Sequence, residues 1–316
     1  MAISNVQVAY PGTRTENLVD LHHPSYLPKY IYEMTQGLLR PHRPKFSETV
    51  QPVTRQAQLS RQDYKNWNRF VGALGHQRPS PLTYYNSAGA FGLFELLSQM
   101  GINFSTILHL RGDMEFHNPD IKTKVGDLFT LHMHLEDVIE REGQCILVVS
   151  GTVRNDRDEL IRSHRDYWFV RRCEQKYLDD CVYPKHFSAA PFKGMSKRVA
   201  ELPKASGTGA EKRSFFLPPS AGHQFAKVSG DYNVIHTTTL GAKLCGQKRA
   251  FLQGYGSLNL CLHHINQTLS GDFKEFSMSF CKPVLLSQNL NLWIKDGSFE
   301  LCDSEDHLLC FGSYTV

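Results

Sequence analysis

The sequence predicts an α+β protein built from two like halves, each an antiparallel sheet around a long helix. In both halves, segments with apolar residues at helical spacing precede a series of alternating segments separated by turn residues. The two halves also repeat this order, and a repeating unit of about 120 residues indicates two similar domains side by side rather than a solenoid.

The composition is that of a globular protein. The chain has 316 residues, of which 41% are hydrophobic and 21% charged, enough for one large or two medium domains. A formal net charge of +4 gives no indication of a nucleic-acid partner. We find no apolar run long enough to span a bilayer and no signal-peptide pattern, so we expect a cytoplasmic protein without a membrane span.

The eight cysteines contain no C-x-x-C pair, and most lie in apolar segments. We therefore expect buried free thiols. A zinc site made of Cys173, Cys181 and His186 lacks the usual ligand spacing, so we expect no metal.

The chain divides into four predicted segments. An N-terminal extension covers 1–50, a first domain 51–172, a Pro- and Gly-containing linker 173–212, and a second domain 213–316. The extension has a helical pattern from Tyr26 to Leu38. The linker is expected to be a solvated connection, and the alternative is that its basic part, residues 193–213, binds phosphates or an acidic carrier.

In the first domain, a helix is expected from Ser60 to about residue 71, and another over 85–100. The second begins with small residues that would allow close approach of a backbone or ligand. The expected strands are 106–110, 113–117, 128–138, 145–154 and 160–170.

In the second domain, Gly230 is expected to end a short helix, and another short helix is expected over 239–246. A long helix with one buried stripe begins near Gly254. Strands are expected over 276–281, 289–294, 299–302 and 308–316, and Asp296-Gly297 is expected to form a hairpin turn.

The stretch from Phe225 to His236 carries the strongest functional signal. Asp231 and His236 follow a Gly230 break, so both are expected on a loop. An imidazole exchanges protons near neutral pH, and a nearby carboxylate can hold a water molecule or orient the ring. The alternative from these residues alone is a helix-capping Asp followed by a His at the helix start.

The first half carries a degenerate copy of this stretch. The segment Phe70-Val-Gly-Ala-Leu-Gly-His76 occupies the position of Phe225-Ala-Lys-Val-Ser-Gly-Asp231, with a His in place of the Asp. Met114-Glu-Phe-His-Asn-Pro119 likewise corresponds to Met278-Ser-Phe-Cys-Lys-Pro283. The first copy therefore retains the scaffold and lacks the acid–base pair.

The motif Phe225-x-x-x-Ser-Gly-Asp-x-Asn-x-Ile-His236, followed by Gly254 at the start of the long helix, resembles the MaoC-like dehydratase family. That family includes the R-specific enoyl-CoA hydratases. The resemblance implies a double hotdog, in which each antiparallel sheet wraps around a long central helix.

The resemblance also implies an activity. It is the (R)-specific hydration of trans-2-enoyl thioesters, or dehydration of (R)-3-hydroxyacyl thioesters, carried by coenzyme A or acyl carrier protein, without a metal or redox cofactor. Asp231 and His236 would hold the water, and Asn233 would support them by hydrogen bonding. The backbone N–H of Gly254 would bind the thioester oxygen. Such an enzyme is a hydro-lyase of fatty-acid metabolism.

Further residues are expected to bind substrate. Those at the start of the long helix are Gln253, Tyr255, Gly256 and Ser257. Lys243, Lys248 and Arg249 would face the phosphates of coenzyme A or a carrier arm, with ordinary surface charge as the alternative. The family usually has His at the position of Gln253 and Pro at that of Val234.

Two other functions remain open from the sequence. One is a non-catalytic protein that binds acyl thioesters or a carrier protein. The other is a hotdog thioesterase, although Asp and Glu are absent from residues 254–269, where such enzymes generally place a carboxylate. A monomer or a homodimer is expected, since two hotdogs in one chain already mimic a dimer.

Overall fold

The computed structural model describes residues 18–19, 35–37, 39–72, 86–118, 124–141, 144–171, 173–183, 209–269 and 272–316. The predicted helix over 26–38 lies mostly outside these residues. Also outside the described residues are His76, His186 and residues 184–208 of the predicted linker.

The first half contains strands β1 (Leu18–Val19), β2 (Val53–Gln58), β3 (Ile107–Phe116), β4 (Leu128–Arg141), β5 (Gln144–Asn155) and β6 (Leu160–Val170), with helices α1 (Arg61–Gly72) and α2 (Asn86–Gln99). The second half contains strands β7 (Glu211–Leu217), β8 (Glu275–Phe280), β9 (Gln288–Lys295), β10 (Ser298–Asp303) and β11 (Leu308–Thr315). Its helices are α3 (Ala221–Ser229), α4 (Val234–Thr237), α5 (Thr239–Leu244) and α6 (Gly254–Asn266).

All eleven strands form one sheet in the order β1-β2-β4-β5-β6-β3-β8-β11-β10-β9-β7. Apart from the short β1–β2 pair, the neighbouring strands are antiparallel. The order β2-β4-β5-β6-β3 in the first half has its counterpart in β7-β9-β10-β11-β8. The predicted α+β class, with the same plan in both halves, is therefore confirmed.

The two halves join through β3 and β8, and the pairing across this seam is symmetric. Gly112 pairs with Met278, Asp113 with Ser277, and Met114 with Phe276. If Met114 is equivalent to Met278, as the sequence repeat indicates, exchanging the halves leaves these pairs unchanged. A pseudo-twofold axis therefore passes near the pair formed by Asp113 and Ser277.

Each half has its own apolar core around its long helix. Leu93, Leu96 and Leu97 of α2 lie in the first core, with residues of β2, β4 and β5. In the second core α6 is buried without a break from Gly256 to Ile265, so the predicted single buried stripe is wrong. Helices that are apolar on most sides fit this enclosed position better than a surface position.

Local chemistry explains several element boundaries. Before α1, the Ser60 hydroxyl accepts from the Asp63 N–H at 3.0 Å, and the Asp63 carboxylate accepts from the Ser60 N–H at 2.9 Å. Asp296 and Gly297 have φ of 46° and 75°, which confirms the predicted hairpin turn between β9 and β10.

Two further predicted features differ from the structure. The strands predicted over 106–110 and 113–117 are one strand, β3, with a register irregularity between His109 and Arg111. The described start of the predicted linker is packed rather than solvated, since Cys173 and Leu178 are buried in the first core. Strand β7 already begins at Glu211. No helix among the described residues is long and apolar enough to cross a membrane.

Candidate active site

A cavity of about 360 Å³ lies between the two halves. Its second-half wall contains the loop after α3 and the start of α6, and its first-half wall comes from α2, β3 and β6. The apolar lining residues of the first half are Ala90, Leu93, Phe94, Phe104, Ile107, Leu108, Leu110 and Trp168. The volume falls within the range of small-molecule sites.

The loop after α3 places the Asp231 carboxylate at this cavity. Gly230 ends α3 with φ of 78°, in the left-handed region that favours glycine. The Ser229 hydroxyl donates to the Phe225 carbonyl oxygen at 3.0 Å and accepts from the Asp231 N–H at 3.1 Å. The Ser-Gly-Asp sequence therefore turns the chain sharply and fixes the Asp231 backbone, which confirms the predicted break at Gly230.

Asn233 organises the next turn. Its N–H donates to Asp231 Oδ1 at 3.1 Å, and its side-chain oxygen accepts from the Ile235 N–H at 3.3 Å, which caps α4. The predicted support of the Asp231 carboxylate by Asn233 is thus supplied by the backbone N–H. The side chain is also buried at the cavity wall.

The imidazole of His236 is oriented by a backbone carbonyl. Its Nδ1 lies 2.9 Å from the Phe251 oxygen, so Nδ1–H donates there and Nε2 of the neutral ring keeps its lone pair. Nε2 lies 3.8 Å from Asp231 Oδ2. That separation is too long for a direct hydrogen bond, and one water molecule can contact both atoms.

Burial lowers the pKa of His236 below its ordinary value of 6.5, although the Asp231 charge and the bond to Phe251 oppose this. The ring is therefore neutral at pH 7. A neutral imidazole with an available Nε2 beside a carboxylate is suited to accept a proton from water.

Gly254 is the first residue of α6 and lines the same cavity. The N–H groups of the first turn of a helix have no partner within the helix and carry its positive partial charge. A methyl group built on Gly254 would lie 2.8 Å from His109 Nδ1, so only glycine fits this close contact.

Gln253 does not cap α6 with its side chain. Its amide nitrogen donates to the Gly222 oxygen at 3.1 Å and to the Asp231 oxygen at 3.0 Å. Gln253 therefore links the start of α6 to the start of α3 and to the backbone of Asp231. Its side chain also forms part of the cavity wall.

The other residues predicted at the start of α6 have different surroundings. Tyr255 lines the cavity and its hydroxyl donates to Asp166 Oδ2. Ser257 lines it too, while its hydroxyl donates to the Gln253 carbonyl at 3.3 Å. Gly256 packs against Leu252 and is not among the lining residues.

The predicted phosphate-binding cations do not line the cavity. Lys243 and Lys248 are exposed and Arg249 is half-buried, all outside the lining. The cationic lining residues are instead Arg171 and Lys282, both exposed. Exposed residues of a cavity wall lie at its opening, so these two charges mark the cavity mouth.

Sequence reasoning missed the polar residues that the first half contributes, above all His109 and Asp166. His109 lines the cavity, and its Nε2 lies 3.0 Å from Asp166 Oδ1. A signal was present in β6, where His164, Asp166 and Trp168 alternate on one face. Polar residues at buried positions of a strand indicate a polar network.

Among the described residues, no group of three His, Cys, Asp or Glu side chains is placed to hold a metal ion. Cys173 and Cys181, two members of the zinc site considered above, are free thiols.

Comparison with known proteins agrees with this architecture. Residues 70–164 match the family model of the FAS1-like dehydratase domain region. The matched segment lies in the first half, outside the stretch from Phe225 to His236.

One relative by sequence and two solved structures are also similar to this chain. The chain is 32% identical over 81 residues to 3-hydroxyacyl-thioester dehydratase X of Mycobacterium tuberculosis, a match that spans 26% of this chain and 29% of that protein. It resembles the crystal structure of HtdX of Mycobacterium tuberculosis with a TM-score of 0.60, 16% identity, and coverage of 84% of this chain and 99% of that chain. A MaoC-like dehydratase from Phytophthora capsici has a TM-score of 0.63, 16% identity, and coverage of 86% and 98%. The chain therefore has a double hotdog fold, and its predicted resemblance to the MaoC-like dehydratases is confirmed.

Proposed function

We propose that the chain is a hydro-lyase that interconverts trans-2-enoyl thioesters and (R)-3-hydroxyacyl thioesters. The observation that carries this proposal is the meeting of three groups at one cavity. They are the unprotonated Nε2 of His236, the Asp231 carboxylate, and the N-terminus of α6 at Gly254. An acid–base pair facing oxyanion-binding N–H groups fits addition of water to a conjugated thioester.

In the hydration direction, one water molecule donates to His236 Nε2 and to Asp231 Oδ2. Its oxygen forms a bond to the β-carbon while one proton passes to Nε2. The π electrons of the Cα–Cβ bond move to the thioester carbonyl, whose oxygen becomes negatively charged near the Gly254 N–H. The α-carbon then takes the proton back from His236, which restores the neutral ring. Dehydration follows the same steps in reverse.

The acyl group would lie along the first-half wall of the cavity. Its side chains are mostly apolar, including Leu93, Phe94, Phe104 and Ile107. An acyl chain along this wall would leave water, which favours binding in proportion to the apolar area buried. The carrier, coenzyme A or acyl carrier protein, would then extend out of the cavity through its mouth. There Arg171 and Lys282 would face its phosphate.

The proposal is tested with purified protein and a series of trans-2-enoyl-CoA substrates: crotonyl, octenoyl and longer. We expect loss of the enoyl-thioester absorbance and formation of the (R)-3-hydroxyacyl product by chiral analysis. Release of free thiol would identify a thioesterase instead. Tight binding without turnover at every chain length would favour a non-catalytic acyl-thioester-binding protein.

The pH dependence of this reaction follows from His236, which must be neutral to accept a proton. Because burial lowers its pKa, the decline of kcat/KM on the acid side should be centred below pH 6.5. The measurement is kcat/KM between pH 4.5 and 8.5, with about 0.5 units between points. An acid limb centred at or above pH 6.5 would contradict the assignment of His236 as the base.

A further inference from the structure

Gln253 lies between the two parts of the proposed site, the acid–base pair and the start of α6. The residue is only 3% exposed, and it forms part of the cavity wall. Its Nε2 donates to the Asp231 carbonyl oxygen at 3.0 Å and to the Gly222 carbonyl oxygen at 3.1 Å. One carboxamide therefore reaches from the residue before Gly254 to the peptide group of Asp231 and to the first turn of α3.

These two contacts fix the orientation of the carboxamide. Its nitrogen carries two N–H donors and its oxygen only accepts, while both neighbouring groups are acceptors. If the amide were turned over, Oε1 would face two carbonyl oxygens and no hydrogen bond would form. In the observed orientation Oε1 is buried and has no hydrogen-bond partner among the described residues. The donation to Gly222 and Asp231 therefore sets how the Gln253 side chain lies.

The contact to Gly222 also connects Gln253 with His236. A methyl group on Gly222 would lie 1.9 Å from the His236 backbone oxygen, so the first turn of α3 touches the α4 turn directly. The imidazole Nδ1 of His236 in turn donates to the carbonyl oxygen of Phe251, two residues before Gln253. Both members of the acid–base pair therefore depend on the chain around Gln253 for their position.

The main chain of Gln253 belongs to the start of α6. Gln253 is the residue before the first helical residue, and its carbonyl oxygen accepts from the Ser257 N–H at 2.9 Å. Because Gly254 follows directly, a shift of Gln253 would move the Gly254 N–H with it. The same residue thus holds the N–H that faces the thioester through its main chain and the acid–base pair through its side chain.

We propose that Gln253 is a positioning residue, which sets the separation between the acid–base pair and the Gly254 N–H through its two side-chain hydrogen bonds. A carboxamide suits this role because it does not titrate and donates to two carbonyl oxygens at any pH. A neutral imidazole, the group that the MaoC-like family usually has at this position, donates only one hydrogen bond. The inference rests on the proposed function, because it concerns the geometry that this reaction requires.

Two replacements of Gln253 test its donors. Gln253→Met keeps the length of the side chain and loses both donors, so we expect kcat to fall by about 100-fold with little change in KM. Gln253→Glu places a buried carboxyl beside two carbonyl oxygens, which raises its pKa above the ordinary value of about 4.3. The protonated carboxyl donates one hydrogen bond, so at the acid end of the pH range Gln253→Glu should have a higher kcat than Gln253→Met. This advantage should disappear as the pH rises and the carboxyl ionises.

Gln267→Met is the matched control, at the opposite end of α6. Gln267 Nε2 lies 2.7 Å from His263 Nε2, and its Oε1 accepts from Arg213 at 2.8 Å, so this variant also loses side-chain hydrogen bonds of the helix. All rates are measured far below the lowest melting temperature, where a loss of stability alone does not lower kcat. We expect wild-type kcat in Gln267→Met. Wild-type kcat in Gln253→Met, or equal kcat in Gln253→Met and Gln253→Glu at the acid end of the range, would overturn the inference.

An NMR titration of His236 separates this inference from the proposed function. The Asp231 charge raises the pKa of His236, so displacement of the carboxylate should lower that pKa. The protein is labelled with ¹³C-histidine, and the His236 signal is identified by its absence in His236→Asn. We expect the His236 pKa in Gln253→Met to shift from the wild-type value toward that in Asp231→Asn, and to stay at the wild-type value in Gln267→Met. If the wild type has no turnover, the proposed function fails while this pKa still tests Gln253. An unchanged His236 pKa in Gln253→Met overturns the role of Gln253.

Discussion

Replacement of His236 by alanine is expected to lower kcat for enoyl-thioester hydration by about 100- to 10,000-fold, the usual contribution of a general base. The variant removes Nε2, which faces Asp231 Oδ2 across 3.8 Å. Asp231→Asn should cause a loss of similar size, because an amide nitrogen in place of the carboxylate oxygen no longer accepts a hydrogen bond from the water. Initial rates with the best chain length measure both losses.

His236→Asn is the matched control. Its amide can keep the hydrogen bond to the Phe251 carbonyl that Nδ1 makes at 2.9 Å, while Nε2 is lost. We expect kcat as low as in His236→Ala, with thermal stability nearer to wild type. Activity that survives in both Asp231→Asn and His236→Ala would overturn the assigned acid–base pair and the proposed reaction with it.

Gly222→Ala is expected to reduce both stability and activity. A methyl group on Gly222, in the first turn of α3, would lie 1.9 Å from the backbone oxygen of His236. The α4 turn must then move away. Overpacking of this kind costs about 1 to 3 kcal/mol of unfolding free energy. A displacement of His236 by about 1 Å is expected to lower kcat by about 100-fold.

Gly72→Ala provides the comparison, because a methyl group at Gly72, the last residue of α1, meets no atom of the described residues within 4 Å. Replacing a helical glycine by alanine normally stabilises by about 0.5 to 1 kcal/mol. Thermal unfolding and hydration rates should therefore stay at or above the wild-type values in Gly72→Ala. An unchanged Gly222→Ala variant would show that the contact between α3 and α4 does not position His236.

The fold was largely predictable because its signals are local. Alternation, turn residues and helix caps act over a few residues, as at Ser60, Gly230 and Asp296-Gly297. The continuity of β3 was not predictable in this way. Whether the chain turns or bulges near Leu110 depends on its two neighbours β6 and β8, which are distant in sequence.

The candidate site was likewise predictable only where its residues are close together in the sequence. Asp231, Asn233 and His236 interact within one short loop, so their spacing in the sequence already indicated a functional group of residues. His109 and Asp166 are 57 positions apart, and Asp166 and Tyr255 are 89 apart. These residues come together only because the first half packs against α6, and no short sequence motif indicates that packing.

The seam between β3 and β8 limits how a substrate can enter. Many proteins that bind ligands between two domains open by rotation about a hinge. Here five main-chain residue pairs run across the seam, and rotation of the halves would leave their N–H and C=O groups unpaired. Access to the cavity is therefore expected through its mouth, near Arg171 and Lys282, rather than through opening of the seam. Because the sheet is continuous across the seam, both halves are expected to unfold in a single cooperative transition.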